Sequence, residues 1–357
     1  MEKGLGSDAA RLLPLDALRG LAALFVFAFH YNNLFKLDVL IPGTEYLRDF
    51  LTNQGWQCVQ LFFVISGFTF YHVYDRKISA HEISLRNFAV LRLSRLVPLA
   101  YLTLVISLGA GIVCRIAVGS AFDVSLTKFF GDLLFLNGYL LREGGEPLNS
   151  PMWSLTPELF AYIVFFAATW KLKATPRKLF YAAVTFAVCV QYDRGVPVFF
   201  LSPEFTRVLP GFFMGCLSCA LWKRCDSGRA KQILTVIAAA ATLLCLAAQY
   251  YSDALIGNRA FVYSVFGFPG LIIAALNIAP ARGLLSLRPF RWVGNMSFGI
   301  YLFHFPILLS LREFGFAGKS VWVMLAVLAV TLVVAHVSYY KYEKPVMGRL
   351  RRKLIKD

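Results

Sequence analysis

Charge is scarce in this chain. Of its 357 residues only 16% are Asp, Glu, Lys or Arg, and the acidic ones number just 20; an ordinary soluble domain carries about 25% charge. No glycine period marks a collagen-like fibre and no polar tract marks a disordered chain. The 7 cysteines are scattered at positions 58, 114, 189, 216, 219, 225 and 245, which excludes a disulfide scaffold. Cys216 and Cys219 form one close pair with no second ligand pair beside it, so small helix-packing residues describe them better than a zinc site. Walker loops, HExxH and dinucleotide fingerprints are missing, so ATP, metal and nicotinamide are not implied.

What abounds is apolar surface. Hydrophobic residues make up 58% of the chain, with 33 Phe and 16 Tyr, and the mean hydropathy is +0.62. That exceeds what a single globular core holds, and the surplus has to be buried in lipid. The net charge of +16 would raise nucleic-acid binding in a soluble protein. Here the placement of the basic residues points to a membrane instead, with no nucleic-acid partner.

A hydrocarbon core of about 30 Å needs about 20 mostly apolar helical residues. Such stretches lie near 13–34, 56–74, 96–118, 154–170, 178–191, 205–222, 232–251, 260–280, 292–312 and 320–340. They predict an all-α, polytopic integral membrane protein with about ten transmembrane helices. Segment 124–141 is also hydrophobic, but it carries Lys128 and Asp132 and runs into REGGEPLNSP; it reads as an interfacial or re-entrant element on the outer side. With the N-terminus inside, 25 of the 36 Lys and Arg fall in inner segments and 9 in outer loops, which predicts an N-in, C-in orientation. Asp16 and Arg19 interrupt the first apolar stretch and no small-residue cleavage site follows, so the first helix is expected to stay attached. Without repeats or an extended soluble domain, residues 1–357 read as one transmembrane domain with a short basic cytoplasmic tail at about 341–357. Glu343 with Pro345 predicts a helix end near the inner surface.

The first helix holds Asp16, Arg19 and His30. At 100° per residue, an offset of eleven returns to within about 20° of the same direction and about 16 Å further along the axis. One stripe therefore links the inner surface to an imidazole inside the span. Ionisable groups there cost about 2.5–3.5 kcal/mol each on insertion scales and are candidates for function; pairing of Asp16 with Arg19 as a topology anchor is the plainer alternative.

Several motifs occur in a fixed order: LDALRGLAALFVFAFH with Arg19 and His30, LFFVISGF with Ser66 and Gly67, and LRLSRLVPLAY with Arg92 and Arg95. WSLTPELFAY follows with Trp153, Glu158 and Tyr162, then GFFMG at 211–215, and SFGIYLFHFPI with Tyr301 and His304. Together they resemble the acyltransferase-3 family of bacterial membrane proteins over nearly the whole chain, with departures at Pro157 and Ala161. The chain ends at Asp357, which resembles the stand-alone form without a fused SGNH-type domain.

The resemblance implies an O-acyltransferase of the bacterial cytoplasmic (inner) membrane. It would move an acyl group, acetyl first among the choices, from cytoplasmic acyl-CoA to a hydroxyl of a cell-surface or exported carbohydrate or glycolipid. By the same resemblance His30 is the general base, Glu158 its partner, and Arg19, Arg92 and Arg95 bind the donor. Asp16, Ser66, Gly67, Trp153, Tyr162, Tyr301 and His304 are auxiliary. The residues themselves are compatible with these roles. Arg92 and Arg95 lie at i,i+3 beside the inner interface, where two guanidinium forks suit a phosphorylated donor or serve as positive-inside anchors. Histidine, with an ordinary pKa near 6.5, suits proton removal at neutral pH. Ser154 or Thr156 as cap and Pro157 in the first turn give Glu158 an ordinary helix-start alternative. Trp153, Tyr162 and Tyr139 suggest an aromatic wall for a sugar ring, although interfacial belts use the same residues. Gly67, Gly211 and Gly215 suit close backbone approach by a helix or a slim pantetheine arm.

A transporter or flippase for a lipid-linked or acidic substrate is the chief rival, but no matching halves are found. A non-catalytic sensing protein would leave the cost of Arg19, His30 and Glu158 inside the membrane unexplained. Association into a homo-oligomer stays open.

Overall fold

The computed structural model of the protein describes residues 11–37, 55–120, 122, 124–136, 147–193, 203–251 and 259–355. Among these residues there is no strand, and the helices follow the apolar stretches read from the sequence. They are α1 (Leu13–Phe35), α2 (Cys58–Ser79), α3 (Leu85–Val118), α4 (Leu126–Leu133), α5 (Leu155–Lys171), α6 (Ala174–Asp193), α7 (Pro203–Arg224) and α8 (Gly228–Tyr251). Beyond them come α9 (Arg259–Val262), α10 (Phe268–Asn277), α11 (Ala279–Leu285), α12 (Arg288–Asn295), α13 (Ser297–Glu313), α14 (Val321–Ser338) and α15 (Lys344–Leu354). Short 3-10 turns at Gly55–Gln57 and Ser150–Ser154 precede α2 and α5, and wider π turns at Tyr263–Gly267 and Tyr339–Glu343 precede α10 and α15.

Six described helical stretches are long and apolar enough to cross a membrane, and eight are if each bent pair counts as one span. The other two expected segments are helices of 22 and 20 residues, α2 and α6. Asp75, Arg76 and Lys77 dilute α2, and Arg177 and Lys178 dilute α6, so apolarity alone does not select them. α4, at 8 residues, is about 12 Å long and too short to span, in keeping with the interfacial or re-entrant reading of that segment.

The chain forms two compact units. The first holds α1 through Ala22, α2 from Val59, α5 from Phe160, and everything onward to Gly294. Inside it α2 and α7 meet backbone to backbone: a Cβ on Gly67 would collide with the Phe212 carbonyl, and one on Gly215 with the Val64 carbonyl. The Cys216 thiol donates to the Gly67 carbonyl at 3.3 Å. These glycines are used for helix contact.

The same unit buries an ion pair that the sequence did not reveal. Arg177, 2% exposed, pairs with Asp75 at 2.7 Å and donates to the Thr169 and Leu172 carbonyls at the end of α5. Counted in the sequence among inner-side basic residues, it instead ties the end of α5 to α2.

The second unit holds α1 from Ala23, residues 83–159 and residues 295–357. α3 opens on Ser84, whose hydroxyl accepts the Asn87 N–H, and closes on Gly119 at φ 64°. α13 packs on α3 and α14. Phe27, Tyr31 and Phe35 of α1 form a buried core with Leu308 and Val327, and the Tyr31 hydroxyl donates to the Gly318 carbonyl at 2.7 Å. This core fixes the rotation of α1 around His30.

The expected helix end at Glu343 and Pro345 is corrected. Helix continues through the Tyr339–Glu343 π turn into α15, with Pro345 in its first turn, where a missing N–H costs little. The basic tail is therefore largely helical and docks on α3. Arg351 donates to the Leu91 carbonyl and the Ser94 hydroxyl at 3.1 and 3.2 Å. The Tyr342 hydroxyl reaches the Pro98 carbonyl at 3.2 Å.

Candidate active site

In the second unit, the rings of His30 and His304 lie 5.1 Å apart, centre to centre. His30 is half-buried, with Phe29 and Phe305 edge-on at 5.2 and 5.5 Å. His304 is fully buried, and its Nδ1 sits 3.0 Å from the Ile300 carbonyl one turn back. A carbonyl only accepts, so Nδ1 carries the proton and the neutral ring keeps its lone pair on Nε2.

A short segment leading into α5 is tied to the His304 helix at three points. The Tyr301 hydroxyl bonds the Pro151 carbonyl and the Ser154 hydroxyl, both at 3.1 Å, and the Asn149 amide donates to the Leu302 carbonyl at 3.0 Å. Ser154 in turn donates to the Pro151 carbonyl, and Thr156 donates to the Phe135 carbonyl at 2.8 Å. Among the described residues neither hydroxyl accepts a backbone N–H, so the helix-cap alternative does not describe the start of α5. The 3-10 turn simply runs into the helix, with Trp153 and Glu158 half-buried on either side of the junction.

The far end of the segment rests on Asp132. This fully buried carboxyl at the end of α4 accepts the Leu148 N–H at 2.9 Å. Three residues on, Phe135 sits at φ 54°, a strained value for a bulky residue, while its carbonyl takes the Thr156 bond and its ring stacks on Tyr101. Asp132 and Asn149 were not assigned roles in the site from sequence, and Thr156 only that of a cap. The signal for Asp132 was present, as a lone acid in a hydrophobic stretch read as interfacial or re-entrant.

Burial pushes the Asp132 carboxyl up to about 7, against the Leu148 and Asn149 backbone N–H groups and the Lys128 charge, which favour its ionised form. An acid raised on folding contributes most stability below its unfolded value near 3.9 and loses it as pH rises toward 7. The melting temperature of the detergent-solubilised protein is therefore expected to fall between pH 4 and 7 by more in the native chain than in Asp132→Asn. Parallel curves would remove Asp132 as the source.

The remaining candidates divide between the units. In the first, Arg19 pairs with Asp16 at 3.6 Å and donates to the Thr69 hydroxyl at 3.2 Å, and Asp16 also meets Arg11. Ser66 and Tyr162 share a hydrogen bond of 3.3 Å. Tyr162 is buried and stacks on Phe70 at 4.2 Å, so one face is already occupied and the ring belongs to the core rather than to an open aromatic wall. Tyr139 lies outside the described residues. In the second unit, Arg92 is half-buried, and Arg95 is exposed and acts electrostatically on Glu343. Among the described residues no group of three His, Cys, Asp or Glu is arranged to hold a metal.

Comparison with known proteins places these elements in a family. YrhL of Bacillus subtilis (strain 168) is 26% identical over 94% of this chain and 55% of its own length. The peptidoglycan O-acetyltransferase OatA of Listeria monocytogenes is 23% identical over 93% and 55%. The O-acetyltransferase OatA of Staphylococcus aureus (strain NCTC 8325 / PS 47) is 24% identical over 94% and 57%. The chain thus spans about half the length of these curated relatives. No solved structure matches it. The family model described as an acyltransferase domain covers residues 13–340, from the first helix into the start of the π turn after α14, and the chain belongs to that family.

Proposed function

We propose that the protein is an O-acyltransferase of the bacterial inner membrane that moves an acetyl group from cytoplasmic acetyl-CoA to a hydroxyl of an exported carbohydrate. Peptidoglycan is the first acceptor to try, given the names of the relatives. The observation that carries this reading is the pair of imidazoles 5.1 Å apart inside a unit of an acyltransferase-family chain.

In this reading His30, the more accessible ring, takes the proton of the attacking hydroxyl. The alcohol oxygen bonds to the thioester carbonyl carbon, the C–S bond breaks, and the imidazolium returns its proton to the departing thiolate, leaving an ester and free CoA. Glu158, near the start of α5 in the same unit, stabilises the imidazolium. Arg92 and Arg95, in that unit as well, hold the phosphates of the donor.

The test is release of CoA from acetyl-CoA by the purified protein with a glycan acceptor, together with acetyl ester on the glycan; neither product from protein that melts cooperatively would refute the reading. Charge-assisted hydrogen bonds are worth about 1.5–3 kcal/mol each. Arg92→Ala with Arg95→Ala is therefore expected to raise the KM for acetyl-CoA at least tenfold with a smaller change in kcat. An unchanged KM would leave both arginines as topology anchors.

A further inference from the structure

After Asn277 the chain makes an elbow of two short helices rather than a plain turn. Ile278 is extended, at ψ 112°, and Pro280 sits in the first turn of α11, so the helix breaks and α11 leaves at 92° to the stretch Tyr263–Asn277. A span tilts about 20° from the bilayer normal on average, which lays α11 close to the membrane plane.

Both ends of this elbow, residues 278–294, are fixed at a polar boundary within the first unit. At the near end Trp222 Nε1 donates to Asn277 Oδ1 at 3.0 Å, and the Asn277 amide donates at 2.9 Å to the Thr235 hydroxyl, which bonds the Lys231 carbonyl. Lys223 and Arg224 follow Trp222, so this end is level with the basic turn between α7 and α8. At the far end α12 meets α1 backbone to backbone: a Cβ on Gly294 would collide with the Asp16 carbonyl, and one on Gly20 with the Gly294 nitrogen. That is the level of the Arg11, Asp16 and Arg19 charges. The elbow therefore runs along the interface and does not enter the hydrocarbon.

Between those ends the side chains face outward. Among the described residues α11 buries none and α12 buries Gly294 alone. Leu284 and Leu287 are more than half exposed. Arg282 is exposed on α11, and Arg288, Arg291 and Trp292 share one exposed face of α12 at i, i+3 and i+4. Positions 254–312 contain no Asp or Glu, so no carboxylate of the same segment offsets these arginines. Guanidinium forks match phosphate oxygens bidentately. A soluble anion would leave the leucines beside them in water, whereas a lipid surface takes cations at its headgroups and Leu and Trp at the acyl boundary.

We propose that residues 278–294 are a docking surface for anionic phospholipid on the inner leaflet. Arg282, Arg288 and Arg291 hold headgroup phosphates, while Leu284, Leu287 and Trp292 enter the boundary between headgroups and acyl chains. Because α12 meets the foot of α1 at Gly20 and Gly294, lipid bound to the elbow stabilises that contact and with it the fold.

The experiment follows the melting temperature of the full-length protein in uncharged detergent as phosphatidylglycerol or phosphatidylcholine is added. Phosphatidylglycerol is expected to stabilise the native chain at a concentration at least tenfold lower than phosphatidylcholine. Each basic residue near an anionic surface contributes about fivefold in affinity, so Arg282→Gln with Arg288→Gln and Arg291→Gln should remove most of that preference. Arg282→Lys with Arg288→Lys and Arg291→Lys keeps the charge and should retain it. Arg349→Gln with Arg352→Gln and Lys353→Gln removes the same charge from α15 and should leave the preference in place. Unliganded melting curves and elution profiles show that each variant folds. No preference in the native chain, or an equal loss from the α15 variant, overturns the surface. An equal, elbow-dependent shift with inorganic phosphate or coenzyme A also overturns it, by assigning the arginines to a soluble anion.

Discussion

His30→Gln is expected to lower acyl transfer by about a thousandfold, within the 10²–10⁴ that a positioned general base contributes. The effect should fall on kcat, because the substitution removes a proton acceptor and keeps a polar side chain between Phe29, Phe305 and His304. Insertion and folding should survive, since α1 is held by Phe27, Tyr31 and Phe35 against Leu308 and Val327, and by the Tyr31 bond to Gly318. CoA release at saturating donor and acceptor, with melting temperature as the control, measures the outcome. If His30→Gln keeps a tenth or more of native kcat, the base is elsewhere, and His304 Nε2 becomes the first place to look. A fall confined to the KM of the sugar would give His30 a role in binding the acceptor in place of the base.

The apolar segments were legible because the bilayer imposes a single length and a single polarity on whatever crosses it. Every expected segment is helical in the described residues. In α1, Asp16 and Arg19 pair, as the plainer topology-anchor alternative expects. Less readable was anything that depends on two distant segments meeting. Arg177 looked like one more inner-side cation and is a buried partner of Asp75. Ser154 and Thr156 looked like caps and are used on Tyr301, Pro151 and Phe135. Tyr162 looked like a sugar platform and stacks on Phe70. Pro345 looked like a stop and sits after a π turn that lets the helix go on. In each case the residue type was informative about chemistry, while a partner distant in sequence, such as Tyr301 at 147 positions from Ser154 or Phe135 at 21 from Thr156, or an unforeseen turn, decided the use. Asp132 and Asn149 belong to the same class, since their value comes from Leu148 and Leu302.

The buried ion pair gives the largest expected effect on stability. Arg177→Met should destabilise the protein by about 3–5 kcal/mol, the usual loss when one member of a buried pair is removed and the other stays charged. It also strips the Thr169 and Leu172 carbonyls at the end of α5 of their donor. Asp75→Leu alone should cost a similar amount, leaving a guanidinium that is 2% exposed without its carboxylate at 2.7 Å. The double variant, Asp75→Leu with Arg177→Met, separates charge from packing. A buried pair repays its desolvation only in part, and apolar replacements of like volume are often neutral or stabilising. The double variant should therefore recover most of what either single change loses, short of the one or two hydrogen bonds to α5, worth about 0.5–1.5 kcal/mol each. Unfolding in mixed micelles across the four-member cycle reads the coupling directly. Additive losses would mean that each group is held by its own surroundings and that the pair does not bind the end of α5 to α2.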